Sequence, residues 1–317
     1  LRLSRKTHEG VALGIGLAPF AADIDPKVAA ELALDEALRN AAVAGMDPAH
    51  AALVDNFCWP DSVPGKGNPQ DEAEKKLGAL VVTCRRIYEG AVELRMPFVS
   101  GKDSMKNDYR MGDVKISVPP TLLITALGKV HDVRRVPRGH AVAGGASRRI
   151  LWVSGQDVIP SALGLPKVDF RRSYEFLGMF HQLIRAGLIE SAHDVSDGGW
   201  LTTTAEMLLG TGVGAEVDFQ LGDFRAGEPG WAALFGEPAT SFVLLVREED
   251  VVEVTAQLSE FMVLDVGRTR SMHVVGESGA QPCLDVKVRG GPEVMTGNWS
   301  LAELDSAYHG QGVGAQS

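Results

Sequence analysis

The chain has 317 residues, 45% of them hydrophobic and 23% charged, with a formal net charge of -10. That length accommodates two domains of about 100–200 residues each. The negative balance argues against a nucleic-acid partner held by general electrostatics, and no apolar run approaches the ~20 residues of a membrane span.

Leu1-Arg2-Leu3-Ser4-Arg5-Lys6 lacks the apolar stretch that would follow the charges of a signal peptide. The chain opens without Met inside what reads as a strand, and it is therefore read as a fragment. Cys58, Cys84 and Cys283 are scattered without metal-ligand spacing, which fits a reducing cytoplasm.

In chain order, Leu1–Leu17 reads as two short strands about the turn Thr7-His8-Glu9-Gly10. Val28–Ala44 is rich in Ala, Leu and Glu and follows Pro26, so it predicts a helix. Ala51–Phe57 predicts a buried strand, Pro60–Gln70 a loop, and Asp71–Leu94 a helix closed by Pro97. An apolar run then ends in Ser100-Gly101-Lys102-Asp103-Ser104, read as a charged turn, and Thr121–Gly128 is a further strand.

Arg138–Arg149, rich in Gly, Ala and Arg, reads as a linker. After it come a strand to Ser154, a helix over Phe170–Gly187, a polar turn over His193–Gly199 and a helix over Trp200–Leu209. Further strands and a helix over Glu249–Phe261, paired strands Met272–Gly276 and Cys283–Val288, and a short helix Leu301–Tyr308 complete the reading. Strands and helices mix without strict βαβ alternation, so the class is α+β. The domains are 1–137 and 150–309, joined by the linker 138–149, with a disordered tail over 310–317.

Four places could carry chemistry. In Ser100–Ser104, Gly101 permits close approach of a ligand, and Lys102, Asp103 and Ser104 supply a cation, a carboxylate and a hydroxyl. This could hold a phosphate-rich ligand or be a solvated connection; it is not a Walker A loop. In His193-Asp194-Val195-Ser196-Asp197-Gly198-Gly199, the acids and hydroxyl could cap the following helix, or hold Mg²⁺ beside phosphate. Glu36 and Asn40 lie four apart on one helical face, suited to a hard cation or simply to water. Asp55-Asn56 could ligate a metal, contact a ribose or form a turn. His8, His50, His131, His140 and His309 read as surface residues, and the five tryptophans as packing.

The ordered set Asp35-Glu36-Ala37-Leu38-Arg39-Asn40, Leu53-Val54-Asp55-Asn56-Phe57-Cys58-Trp59, Ser100-Gly101-Lys102-Asp103-Ser104 and His193-Asp194-Val195-Ser196-Asp197-Gly198-Gly199 resembles phosphoribosylformylglycinamidine synthase (FGAM synthase). The likeness is to the second half of that enzyme's synthetase portion and covers nearly the whole chain. Ser117-Val118-Pro119-Pro120 and Pro166-Lys167-Val168-Asp169 also look like that family. It belongs with aminoimidazole ribonucleotide synthase, selenophosphate synthetase and the hydrogenase maturation dehydratase.

The resemblance implies a two-domain α+β unit of the aminoimidazole ribonucleotide synthase type. Its N-terminal, ferredoxin-like-type domain helps build a shared barrel with a partner. It further implies ATP-dependent conversion of formylglycinamide ribonucleotide to the amidine in purine biosynthesis, with glutamine-derived ammonia. Carried over by position, Glu36, Asn40 and Asp194 bind Mg²⁺; Asp55, Gly101, Lys102 and Ser196 serve ATP; Ser104 faces substrate phosphate. No catalytic residue is assigned, because the family's catalytic His belongs to the preceding unit. The implied partners are that N-terminal half and a glutaminase, or a second copy through the N-terminal domain.

Two other readings are carried. One is a non-catalytic, nucleotide-binding half in which bound ADP and Mg²⁺ stabilise the pseudodimer of the two halves. The other is a stand-alone relative, disfavoured because the Cys that selenophosphate synthetase and the hydrogenase protein would require are not found here.

Overall fold

An alanine-rich helix lying directly on a glycine-bearing strand organises the first part of the chain. The computed structural model describes residues 1–112, 114–144, 146–156, 164–220, 230–270, 281–290 and 293–310. Two compact units are formed: one from 1–136, 155–182 and 238–240, the other from 137–154, 183–237 and 241–317.

The first unit contains β1 (Gly10–Leu17), α1 (Pro19–Ala22), α2 (Pro26–Val43), β2 (Ala51–Cys58), α3 (Gln70–Leu94), β3 (Phe98–Ser104), the hairpin β4 (Asp108–Met111) and β5 (Val114–Ser117), and β6 (Thr121–Val130). Its sheet has the order β1-β6-β2-β3, antiparallel except for the parallel pair β2–β3. Asp25 caps α2 by accepting from the Lys27 N–H at 2.8 Å, and Pro26 sits where its missing N–H costs nothing.

Ala30, Ala33, Ala37 and Ala41 of α2 are fully buried. A Cβ at Gly14 would lie 2.2 Å from Ala37 O, and one at Gly16 would lie 2.3 Å from Ala33 O. Helix and strand backbones therefore touch through small residues on both sides. α3 packs on α2, and Arg86 Nε donates to Glu31 Oε1 at 2.6 Å across that contact. α3 stops at Arg95, in the left-handed conformation at φ 56°, two residues before Pro97.

Two expectations are corrected here. Leu1–Glu9 forms no strand: Arg2 makes only an isolated bridge to Gly10. Ser100–Ser104 is not a turn either, because β3 continues to Ser104. β2 supplies a parallel partner along that whole length, and backbone pairing outweighs the turn-like composition.

The second unit holds β7 (Arg148–Ser154), β8 (Ser191–Asp194), α5 (Gly199–Leu208), β9 (Gly214–Gln220), α6 (Gly230–Phe235), β10 (Ser241–Arg247), α7 (Val251–Gln257), β11 (Met262–Arg270), β12 (Cys283–Gly290), β13 (Glu293–Ser300) and α8 (Leu301–Tyr308). The remaining helix, α4 (Phe170–Ala186), has residues 170–182 in the first unit. The seven-stranded order is β13-β12-β9-β11-β7-β10-β8, antiparallel except for β9–β12.

Trp152, Trp200 and Phe219 form the aromatic centre, with the two indoles stacked at 5.4 Å. Each indole N–H is satisfied, Trp152 by Ser241 Oγ and Trp200 by Ala233 O, both at 2.8 Å. Trp59 is also buried, but Trp299 is 42% exposed, against the packing expectation; the side chain of Trp231 lies outside the described residues.

The helix expected over Glu249–Phe261 is shorter, a 3-10 turn followed by α7, and β11 begins directly afterwards. Cys283–Val288 lies in β12, which pairs with β13 and β9; Met272–Gly276 and residues 311–317 of the expected tail lie outside the described residues. α8 is as expected, opened by a Ser300–Glu303 capping box. Among the described residues no helix is long and apolar enough to cross a membrane.

Candidate functional site

The register of β2 on β3 sets Asp55 opposite Gly101, Asn56 opposite Lys102 and Cys58 opposite Ser104. Side chains alternate faces along a strand. Asp55 therefore shares the face of buried Leu53 and Phe57, whereas Lys102 and Ser104 share the other face with Asn56. Gly101 is glycine for want of room. Its φ is not positive, but a Cβ there would lie 2.3 Å from Asp55 Oδ1.

Burial pushes the Asp55 carboxyl above its ordinary value; the Lys102 backbone N–H opposes this, and the charge of Asp103 adds to it. On the other face Lys102 Nζ donates to Ser104 Oγ. The structure thus makes two pairs, Asp55 with Gly101 and Lys102 with Ser104, rather than one cluster of four.

Glu36 and Asn40 do share a face of α2, and that face meets β1. Glu36 Oε2 accepts from the Leu17 N–H at 2.8 Å, and Asn40 Nδ2 donates to Ile15 O at 2.9 Å. They satisfy strand backbone in addition to any ligand role. With its amide nitrogen on Ile15, Asn40 has its carbonyl oxygen as the atom suited to a cation.

In the second unit, His193 and Asp194 end β8, and Val195–Gly198 carries the chain into α5. Asp194 is 3% exposed. Ser196 Oγ donates to Asp194 Oδ2 at 2.6 Å, and His193 Nδ1 lies 2.8 Å from Asp194 O. The N-cap of α5 is Gly198, at φ 85°, with no side-chain cap. Helix capping is accordingly not what the Ser196 hydroxyl does. The Gly199 N–H donates to Ser196 O at 3.0 Å, so that N–H is already engaged within the turn. A Cβ on Gly199 would lie 2.5 Å from Leu234 O, which explains the second glycine.

Glu206 is the further carboxyl beside this turn whose environment perturbs it. It stands on α5, where burial raises its carboxyl above the ordinary range, His193 lowers it and the neighbouring Asp194 charge raises it. Its position two turns beyond Gly199 would have been legible from helical periodicity. His131 is corrected from surface residue to partner of Asp47, with His131 Nε2 at 2.6 Å from Asp47 Oδ2.

A family model described as AIR synthase related protein, C-terminal domain, matches residues 130–276. The phosphoribosylformylglycinamidine synthase subunit PurL of Thermus thermophilus is 30% identical over 315 residues, covering 95% of this chain and 38% of that protein. Thermotoga maritima PurL complexed with FGAR superposes with a TM-score of 0.67 at 14% identity, covering 94% of this chain and 46% of that one. The same protein complexed with ATP gives 0.67 at 15% identity, with coverage of 94% and 44%. The chain thus spans less than half the length of these relatives, and the structural likeness at such identity concerns the fold.

Proposed function

We propose, from the premise that the chain is a relative of the phosphoribosylformylglycinamidine synthases and carries the C-terminal domain of the AIR synthase related proteins, that it forms the nucleotide-binding second half of such a synthase. The whole reaction would join ATP, formylglycinamide ribonucleotide and glutamine-derived ammonia. The amide oxygen takes the γ-phosphoryl group, and ammonia then displaces phosphate to leave the amidine, ADP and phosphate. The observation that carries this reading is the appearance of four polar motifs in family order, two of them on adjacent strands β2 and β3.

Within that reading, Asp55 and Gly101 serve the nucleotide from one face of the β2–β3 pair, while Lys102 meets nucleotide phosphate and Ser104 substrate phosphate from the other. Ser196 contacts nucleotide in the second unit. Glu36, Asn40 and Asp194 offer carboxylate and amide oxygens, the hard donors that Mg²⁺ takes. When bound, Mg²⁺ neutralises charge on the phosphoryl group, and the protein's share of catalysis is positioning and electrostatics. We keep 1–137 and 150–309 as the functional domains, joined by 138–149, and place the protein in the cytoplasm.

The other half of such a synthase would cover the open face of the first sheet. Leu13, Ile15 and Leu17 are 52%, 53% and 43% exposed there, and the register sets Leu127, Thr125 and Leu123 beside them. A face this apolar favours burial; in the absence of the other half, a second copy would take its place. Asp194→Ala is expected to abolish Mg²⁺-dependent nucleotide binding by the assembled enzyme in equilibrium titration. Binding equal to the parent would remove Asp194 from the metal site.

A second reading is a non-catalytic half, in which bound ADP and Mg²⁺ stabilise the pseudodimer of the two halves without turnover. Slow release of ADP retained through purification would favour that role. Weak, exchangeable ATP binding dependent on the other half would favour the catalytic one.

A further inference from the structure

Asp47, His131 and His181 converge from three separate segments of the first unit: the 3-10 turn after α2, the end of β6, and α4. One ligand atom from each lies within 4.8 Å of the others. Asp47 and His181 are buried, and the His131 side chain is 31% exposed. His131 Nε2 and His50 Nδ1 both approach the same Asp47 oxygen, Oδ2, at 2.6 and 2.9 Å. Asp47 Oδ1 is held by the Ala49 N–H at 2.9 Å. The ring centroids of His131 and His181 are 5.7 Å apart, and those of His131 and His50 are 5.9 Å apart.

A lone Asp–His hydrogen bond needs one imidazole; here three gather around one carboxylate. We propose that Asp47, His131 and His181 form a binding site for Zn²⁺ or a Zn²⁺-like transition ion, with the fourth position left to His50 or solvent. Two imidazoles and a carboxylate are a donor set that suits Zn²⁺ and disfavours Mg²⁺, which prefers oxygen. Zinc bonds of ~2.0–2.1 Å at tetrahedral angles place ligand atoms about 3.3 Å apart. Small side-chain rotations reach that spacing from the present one. The backbone holds the first ligand in place: the Asp47 N–H donates to Lys129 O at 2.8 Å, tying the turn to the end of β6, just before His131. None of its residues is a proposed Mg²⁺ ligand, and its ion would staple three elements that are distant in sequence.

The test uses the tag-free, chelator-treated chain titrated with Co²⁺, followed by displacement with Zn²⁺. One equivalent of Co²⁺ is expected to bind with the intense visible bands of a four-coordinate ion and to be displaced by Zn²⁺. His131 is half-exposed, so His131→Ala should stay folded by circular dichroism. It should weaken binding by more than the ~10–100-fold typical of losing a supporting residue around a metal. His131→Cys should retain the ion and add a sulfur-to-cobalt charge-transfer band, while His309→Ala should bind like the parent. Absence of a stoichiometric Co²⁺ complex at micromolar protein, or a His131→Ala titration matching the parent, or a His131→Cys complex without the new band, would overturn the proposal.

Discussion

Asp55 carries a stability cost whose sign can be worked out. Burial raises its folded pKa above the ordinary 3.8. A carboxyl raised in this way contributes its stability below the unfolded pKa and loses it as pH rises through the folded value. Asp55→Asn should therefore raise the thermal midpoint at neutral pH, and the gain should vanish in melts run below the ordinary carboxyl pKa. If Asp55 serves the nucleotide, the same change weakens binding, a trade of function against stability. Gly101→Ala tests the pair differently. A methyl 2.3 Å from Asp55 Oδ1 must displace that carboxylate. The expected result is ATP affinity reduced about tenfold, near 1.4 kcal/mol, with little change in thermal midpoint; unchanged affinity would separate Gly101 from the site. A buried ion pair gives a third test. Arg39 Nε lies 2.9 Å from Asp35 Oδ2, each side chain being 2% exposed, and the Thr240 N–H donates to Asp35 at 2.9 Å. Asp35→Ala breaks this buried ion pair and removes the acceptor of the Thr240 N–H, and denaturant melts should show a loss of about 3–5 kcal/mol.

Among the elements, the contact of α2 on β1 is close enough for a single methyl to disturb it. Gly16→Ala would press a methyl onto Ala33 O at 2.3 Å and Ala37 N at 2.4 Å, backbone atoms that cannot rotate away. Overpacking of this kind costs about 1–3 kcal/mol, read from denaturant midpoints; a neutral result would mean that the helix shifts freely. The helix itself was legible in the sequence because Ala, Leu and Glu follow Pro26. Its alanines read there as propensity, whereas in the structure they also serve as contact surface. β3 was not legible in full, since Gly101, Lys102 and Asp103 look like turn residues until the parallel partner Asp55–Cys58 is known. β11 was missed because its partners β7 and β9 are distant in sequence and a register shift at Asp265/Gly267 breaks its alternation. β13 is polar and largely exposed, so no hydrophobic pattern marks it.

For the whole molecule, the sequence reads the Glu36/Asn40 helix as it lies in the fold but reads Ser100–Ser104 as a turn where the structure has strand β3. Glu36 and Asn40 fall together as helical spacing requires, and both are also spent on β1 backbone. Lys102 and Asp55 sit on opposite faces of one sheet edge, a fact set by register and invisible in a linear motif. The Asp47–His131–His181 cluster had no signal at all, because its members are 84 and 50 residues apart in the chain and meet only through the fold. The open face bearing Leu13, Ile15 and Leu17 is where the proposed partner half would pack.

That partner supplies the most direct test of the account. The chain should be combined with the N-terminal half of a related synthase and a glutaminase, and amidine formation followed with ATP, Mg²⁺, glutamine and formylglycinamide ribonucleotide. The account predicts ATP-dependent product only when both halves are present, and its loss with Asp194→Ala. Amidine formation that proceeds equally without this chain would contradict it.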